Sequence, residues 1–374
     1  MASLALRNLL HDKVRLAVTL VGIVFALVLI VVQLGLFLGF TTVTSAVIDH
    51  SGADLWVTAV GMQNLDVGVP FHERKLYQVR ADSAVARSEK YIVQFATWKR
   101  PDGLQESVEV VGFEPRDGMG GPWNLIEGDL AVLLEPDTVI IDEFYKSKLG
   151  VRALGEVVEI NGRRARVAGF TRGIRSFTTS PHAFTSFKNA LTYTGLAEDQ
   201  TVFVLVKAAP GADVVALQQR LRDSVADVDV FTTAEFSKKT QDYWLYTTGA
   251  GVTVLIAAAM GLIVGLVVVA QTIYATTMDH IREFGTLKAM GASNGYIYRV
   301  ILEQAGISAV LGYLMAMAIS IPVVRASQNG SALILLPPEL AASIFVLAVV
   351  MCTTASVVSI RKVTSIDPAM VFKG

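Results

Sequence analysis

Four long stretches of this chain carry almost no charge. Leu16 to Ile48 and Tyr243 to Met278 contain no charged residue, Val300 to Val324 contains only Glu303, and Leu340 to Ile360 contains none. Each exceeds the ~18–20 apolar residues that cross ~30 Å of hydrocarbon, so each predicts a transmembrane helix. The first two runs are longer than a bilayer requires. Thirty-odd helical residues at about 1.5 Å each reach roughly 50 Å, which predicts helices continuing past the membrane as a stalk. A tilted helix with an irregular extension is the plainer alternative. The first run also exceeds the ~7–15 residues of a signal-peptide core, so it is read as a retained helix.

Between the first two spans the period changes. Ala53 to Ala59 and Tyr91 to Trp98 read as strands, with a polar helical stretch from Glu73 to Arg87 between them. Thr201 to Lys207 is another apolar strand. Pro210-Gly211 then breaks the chain ahead of Asp213, placed to cap a helix whose Val214, Leu217, Leu221 and Val225 recur at helical spacing. Val228 to Phe231 returns as a strand. From about 99 to 198 the pattern is of short strands and turns, with Glu106 to Phe113 and Thr138 to Asp142 as strand candidates. Glu156 to Ile160, Asn161-Gly162 and Arg163 to Phe170 predict a hairpin, because Asn-Gly suits the tight turn that matches strand twist. The glycine-rich run from Asp117 to Pro122 predicts an exposed loop.

These patterns predict a four-helix membrane protein with a large mixed α/β domain. The expected organisation is an N-terminal segment 1–15, span one and stalk 16–48, and an α/β domain 49–242. That domain has a split base (about 49–98 and 199–235) and a β-rich insertion (about 99–198). Then come stalk and span two 243–278, a loop 279–299, span three 300–324, a short loop 325–339, span four 340–360 and a tail 361–374.

Composition agrees with this reading. The 374 residues are 52% hydrophobic and only 17% charged, where a soluble chain carries about a quarter charged residues. Arg7, Lys13 and Arg15 precede span one, Arg282, Lys288 and Arg299 lie between spans two and three, and Arg361, Lys362 and Lys373 follow span four, whereas loop 325–339 holds only Arg325. Positive residues favour the cytoplasmic side, so both termini and loop 279–299 are predicted to be cytoplasmic and the α/β domain outside. A net charge of −1 argues against a nucleic-acid partner. The single cysteine, Cys352, cannot pair within the chain and reads as a small buried apolar residue. The α/β domain must therefore cohere through its core, without disulfides.

Candidate chemistry is sparse. The phosphate-binding pattern G-x-x-x-x-G-K-[ST] is absent, as is H-E-x-x-H. His11, His50, His72, His182 and His280 are scattered, which predicts ordinary surface or loop roles and no metal or catalytic site. Gly35-x-x-x-Gly39 in span one and Gly261-x-x-x-Gly265 in span two would let helix backbones approach closely. They fit a homodimer seam or contacts within one subunit equally well. Gln33 is a polar group near mid-membrane, suited to a hydrogen bond within the bundle or to a substrate path. Trp56, Phe71 and Trp123 suit either core packing or contact with cargo or an adaptor.

Loop 279–299 is richer than a turn needs to be. Asp279 can cap a helix, and Ile281, Phe284, Leu287 and Met290 recur every three residues beside Arg282, Glu283 and Lys288. Gly291 is placed to end the helix, and Ser293 and Asn294 to start the next. A helix resting on lipid headgroups is the simpler reading, but its apolar face is narrow and its charges are mixed.

The run Ile281-Arg282-Glu283-Phe284-Gly285-Thr286-Leu287-Lys288-Ala289-Met290-Gly291-Ala292 resembles the R-E-[IF]-G-x-L-[KR]-A-[LM]-G-A signature of the FtsX/MacB-like ABC transporter permeases. Ile366 to Phe372 resembles that family's closing P-x-x-x-[LF] element, and Leu4 to Leu10 its W-x-N-L opening, with Leu6 or Arg7 where Trp is common. Arg74 to Gln78, Trp98-Lys99 and Val111 to Phe113 are similar to stretches of DevC-type exporter permeases. The resemblance implies a multi-pass inner-membrane homodimer that is not itself an enzyme. A separate ABC ATPase would bind ATP and Mg, and Ile281, Arg282, Glu283, Phe284, Gly285, Leu287, Lys288, Met290 and Gly291 would dock into it. It further implies mechanotransmission to a periplasmic domain, a periplasmic adaptor, a TolC-like outer-membrane channel and export of a lipid-like or amphiphilic substrate. The alternative within the family is an FtsX-like transducer that activates a periplasmic partner such as a cell-wall hydrolase and transports nothing. A receptor without any ATPase is a third reading.

Overall fold

The computed structural model describes residues 13–116, 118–279, 286, 290, 292–328, 330 and 332–364. Two units make up the chain: 40–250, and 1–39 with 251–374.

Helix α1 (Lys13–Asp49) runs unbroken for 37 residues, roughly 55 Å at the rise of an α-helix. Its last turns lead into the α/β unit, where strands β1 (Leu55–Ala59), β2 (Phe71–His72), β3 (Val85–Lys99), β4 (Gln105–Phe113), β5 (Leu125–Glu127), β6 (Thr138–Asp142), β7 (Val157–Ile160), β8 (Arg163–Thr171), β9 (His182–Ser186), β10 (Gln200–Thr201), β11 (Phe203–Ala208) and β12 (Val228–Thr232) follow in turn. One sheet runs in the order β12-β1-β11-β3-β4-β9-β6-β8-β5, with β7 bridging β3 and β8, and β2 pairs separately with β10. Pairings are antiparallel except β4 with β9 and β6 with β8. The expected base and insertion are therefore joined by hydrogen bonds through β3, the last strand of the base's first half, which pairs with β11 of the base and with β4 of the insertion.

Strand alternation sorts side chains to two faces. Leu55 and Val57 point with Val204 and Val206 toward Leu76 of helix α2 (Arg74–Arg80) and Leu217 and Leu221 of helix α5 (Val214–Ser224). Trp56 points the other way, into a cluster with Tyr91, Phe203 and Phe236. Phe236 belongs to helix α6 (Thr233–Asp242), which opens with a capping box from Thr232 and Glu235. Helices α3 (Lys146–Leu149) and α4 (Phe187–Thr194) complete the unit.

Several local expectations stand as read. Asp213 caps α5, accepting from the Val215 and Ala216 amides. Asn161 and Gly162 both have positive φ, 48° and 75°, as the hairpin turn between β7 and β8 requires. Others are corrected. The helix predicted over Glu73 to Arg87 stops at Arg80, and the chain turns at Asp82 into β3. The polar start of β3 is held by ion pairs, Arg80 to Glu89 and Lys90 to Glu73. Met119 and Gly120 are buried, not exposed: a Cβ on Gly120 would lie 2.4 Å from the Tyr91 ring, and the Tyr91 hydroxyl donates to the Gly120 carbonyl at 3.0 Å. The run predicted as one stalk and span from Tyr243 stands in two pieces. A π-helical turn (Tyr243–Thr247) ends at Gly249, whose φ of +75° leaves the helical region, and helix α7 (Ala250–Asp279) begins after it.

In the other unit α7 is followed by α8 (Asn294–Ser327) and α9 (Pro338–Thr364). Ser293 caps α8 by accepting from the Tyr296 amide. Among the described residues, four helices are long and apolar enough to cross a membrane: Leu16–Asp49, Ala250–Thr272, Asn294–Ser327 and Pro338–Ser356. Their shared core mixes Ile23, Leu27 and Ile344 with Ala26, Ala309 and Ala348, and Cys352 is buried there as a small apolar residue.

Candidate functional site

Of the residues expected to dock on an ATPase, Ile281, Arg282, Glu283, Phe284, Gly285, Leu287, Lys288 and Gly291 lie outside the described residues. Met290 is described. Its amide donates to the Thr286 carbonyl at 3.0 Å, the i to i−4 bond of an α-helix, and its side chain is 72% exposed.

The four span glycines each meet this chain's own atoms. A Cβ on Gly39 would lie 1.8 Å from the Leu333 carbonyl oxygen and one on Gly35 2.6 Å from Ile334, and the Leu335 amide donates to the Gly35 carbonyl at 3.0 Å. The segment joining α8 to α9 is thus strapped across α1 at two positions where only hydrogen fits. Gly265 faces Ala26 and Gly261 faces Leu29, which brings α7 against α1. Gln33 is half-buried. Of the aromatics, Trp56 is fully buried core, while Trp123 is half-buried and stacks on His50 just past α1, ring centroids 4.2 Å apart.

In the α/β unit, the end of α1, the turn before α7 and the sheet are bound together. Gln241 of α6 donates to the Ser45 hydroxyl of α1 at 2.8 Å, and Ser45 donates to Asp49. Phe177, on the loop between β8 and β9, puts its ring edge-on to Phe40 of α1 at 5.5 Å and to Trp244 of the π-helical turn at 4.5 Å. The indole N–H of Trp244 donates to Asp66 at 2.7 Å.

The Phe177 loop is pinned from below. The Ile174 amide donates to Asp142, the Ser176 amide to the Tyr145 hydroxyl, and the Thr178 hydroxyl to Glu109 at 3.0 Å. Thr178 has one hydroxyl proton and gives it to Glu109, so the Ser176 hydroxyl 2.7 Å away must donate to Thr178. Glu109 and His182 are register partners on adjacent parallel strands, and their side chains meet at 3.0 Å, an ion pair whose geometry is off the line of a hydrogen bond. Both are buried, so His182 departs from the surface or loop role predicted for it. Burial opposes charge on the imidazole, but Glu109, with Asp66 and Asp142, outweighs it and raises the His182 pKa. Asp66 is 4% exposed, and burial, with the field of Glu109, pushes its carboxyl up to about 7.

Sequence reasoning missed this cluster. Glu109 sits between buried Val108 and Val110, where alternation assigns it to a solvent face; the covering loops bury that face. An acid inside so apolar a strand was the only local signal.

A family model described as MacB-like periplasmic core domain matches residues 16–224, and one described as FtsX-like permease C-terminal matches residues 255–368. This chain belongs to the MacB/FtsX-like permease family. An uncharacterized ABC transporter permease of Mycobacterium tuberculosis is 26% identical over 381 residues, with 99% of both chains covered. One of Mycobacterium bovis is 24% identical over 373 residues, again with 99% of both covered. The crystal structure of the periplasmic region of MacB from Actinobacillus actinomycetemcomitans covers 51% of this chain and 95% of its own at 13% identity, with a TM-score of 0.39. The permease is accordingly a membrane protein of the ABC transporter class, and its family implies a partner ATPase. In the permease, the family boundary between the two matched regions spans α6, the π-helical turn and the Gly249 break.

Proposed function

We propose that the permease is the membrane subunit of an ABC exporter that works by mechanotransmission. A separate ATPase, which binds ATP and Mg, grips residues Ile281 to Gly291, and its closure displaces α1 and α7 in an inner-membrane homodimer. The α/β domain, on the periplasmic side with both termini cytoplasmic, passes that displacement to a periplasmic adaptor and outer-membrane channel. The cargo is lipid-like or amphiphilic.

The observation that carries this reading is the junction at Phe177. Phe40 on α1 and Trp244 ahead of α7 both contact one side chain, and the loop bearing it is hydrogen-bonded into the sheet through Glu109 and Asp142. Motion of either helix end thus reaches the α/β domain through packed, bonded contacts. The resemblance of 281–292 to the family signature supports the ATPase end, and the DevC-like stretches support the cargo class.

The test is Phe284→Asp and Gly285→Asp in the permease purified with its ATPase. An aspartate at either position is expected to abolish ATPase copurification and coupling. Unchanged assembly and unchanged ATP turnover would remove the docking assignment. Mass spectrometry of lipids held by the wild-type complex then separates export from signalling. A bound amphiphile supports export, and a copurifying cell-wall hydrolase without one favours the transducer.

A further inference from the structure

The mechanotransmission reading uses Trp244 but gives no task to the exposed side of α6 and the π-helical turn that carries it. We propose that this side, with the loop bearing Gln63, binds the zwitterionic headgroup of a phospholipid from the leaflet next to the α/β domain. A phosphate ester carrying an amine is the chemistry it fits. The site goes beyond the export reading, since it uses neither the ATPase nor the cargo.

A groove of about 470 Å³ runs along that side, lined among others by Gln63, Lys238, Asp242, Tyr243, Tyr246 and Thr247. That volume falls within the ~300–1,000 Å³ of small-molecule sites. Lys238 and Asp242 are four residues apart on α6 and so are neighbours on its surface. They do not pair with each other, and among the described residues neither side chain has an ion-pair or hydrogen-bond partner. The other two charges in the groove are engaged. Glu235 accepts from the Thr232 amide and from Gln218, and Lys239 lies over the Phe231 ring, 5.0 Å from its centroid. A free ammonium beside a free carboxylate suits a ligand that carries both signs, with its phosphate on Lys238 and its amine on Asp242. A headgroup with a phosphate and no amine would leave Asp242 unpaired, with Glu235 adding to the repulsion.

Two stretches of sequence put the groove at headgroup depth. The twenty residues from Gly251 to Ala270 hold one polar side chain, Thr253, and as a helix they reach about 30 Å, the thickness of the hydrocarbon. One edge of the hydrocarbon therefore falls near Gly251, and Thr247, Tyr246 and Tyr243 precede it by four to eight residues. On α1, Leu16 to Phe40 is apolar but for Thr19 and Gln33, and Thr41-Thr42 follow. Phe40, at that second boundary, meets Phe177, which meets Trp244 of the same turn. Tyrosine and tryptophan are the residues enriched where membrane meets water. The loop that supplies Gln63 is tied to the turn by Asp66, which accepts from Trp244, and it exposes Val60, Val67 and Val69. Apolar side chains beside a charged groove match the boundary between headgroups and acyl chains.

The experiment is native mass spectrometry of the full-length permease, without ATPase, titrated in detergent with dioleoyl phosphatidylethanolamine or dioleoyl phosphatidylglycerol. The wild type is expected to retain the ethanolamine lipid about tenfold more tightly, the worth of one hydrogen bond to a charged group. Asp242→Asn is expected to erase that preference. Lys238→Gln is expected to weaken both lipids about tenfold, since both carry the phosphate. Glycerophosphoethanolamine, the same headgroup without acyl chains, is expected to displace neither lipid at equal concentration. Equal retention of the two lipids by the wild type overturns the site whether or not the variants fold, as does a wild-type preference that survives Asp242→Asn. Displacement by the free headgroup overturns the lipid assignment in favour of a soluble phosphodiester. Because no ATPase is present, failure here leaves the export reading intact.

Discussion

The two units of this permease are stabilised in opposite ways. The α/β unit buries its largest side chains: Trp56, Trp98, Tyr91, Phe113 and Phe184 are all at most 1% exposed. The membrane unit turns many large side chains outward, with Ile256, Ile263, Leu314 and Val346 all more than half exposed, and keeps Gly22, Gly265, Ala26 and Ala309 between its helices. In water, area removed from solvent drives folding, so bulk belongs inside. In lipid that drive is absent between helices, and backbone approach replaces it. A substitution that fills space should therefore be costly in one unit, and one that empties space in the other.

The largest effect is expected at Trp56. Trp56→Ala should cost about 3–5 kcal/mol, read as a lowered midpoint for loss of near-ultraviolet circular dichroism. The indole N–H of Trp56 is buried without an acceptor, so Trp56→Phe should retain most of the stability, since no good hydrogen bond is lost. Equal losses for Phe and Ala would break the volume argument.

Next comes Gly39. Gly39→Ala places a methyl on the Leu333 carbonyl and should cost about 1–3 kcal/mol by displacing the strap. Gly261→Ala, where the new carbon would lie 3.3 Å from Leu29, should be milder. Thermal aggregation midpoints in detergent rank the two, and the reverse order would break the close-approach account. The smallest effect is at a solvent-side cap. Asp213→Ala removes acceptors from two amides of α5 and should cost about 1 kcal/mol in the same dichroism assay. That loss sharpens the comparison, since it depends on neither bulk nor close approach.

Local signals in the sequence were readable where one physical requirement dominates. Long gaps in charge located the four helices, Asn161-Gly162 the hairpin, and Asp213 the start of α5. Thr232 and Glu235 spelled a capping box for α6 that the strand-based reading passed over. The start of β3 was hidden because Ser88, Glu89 and Lys90 look like helix surface until Arg80 and Glu73 pair with their neighbourhood. The Glu109–His182 pair was not legible at all. It exists through a parallel register between strands far apart in the chain, and no local pattern encodes that. Span glycines announced close approach but not the partner, which proved to be Leu333 to Leu335 for one pair.

The break at Gly249 makes the two arms into the α/β unit mechanically unlike. Helix α1 is a strut: unbroken backbone hydrogen bonding through 37 residues lets it carry axial thrust and twist alike. The second arm has a swivel, because at Gly249 the helical ladder is interrupted and a side chain there would meet nothing within 4 Å. A swivel passes tension but sheds torque. On the mechanotransmission proposal, rotation of α7 is expected to be lost at Gly249 before it reaches Trp244, leaving α1 to deliver a turn as well as a push.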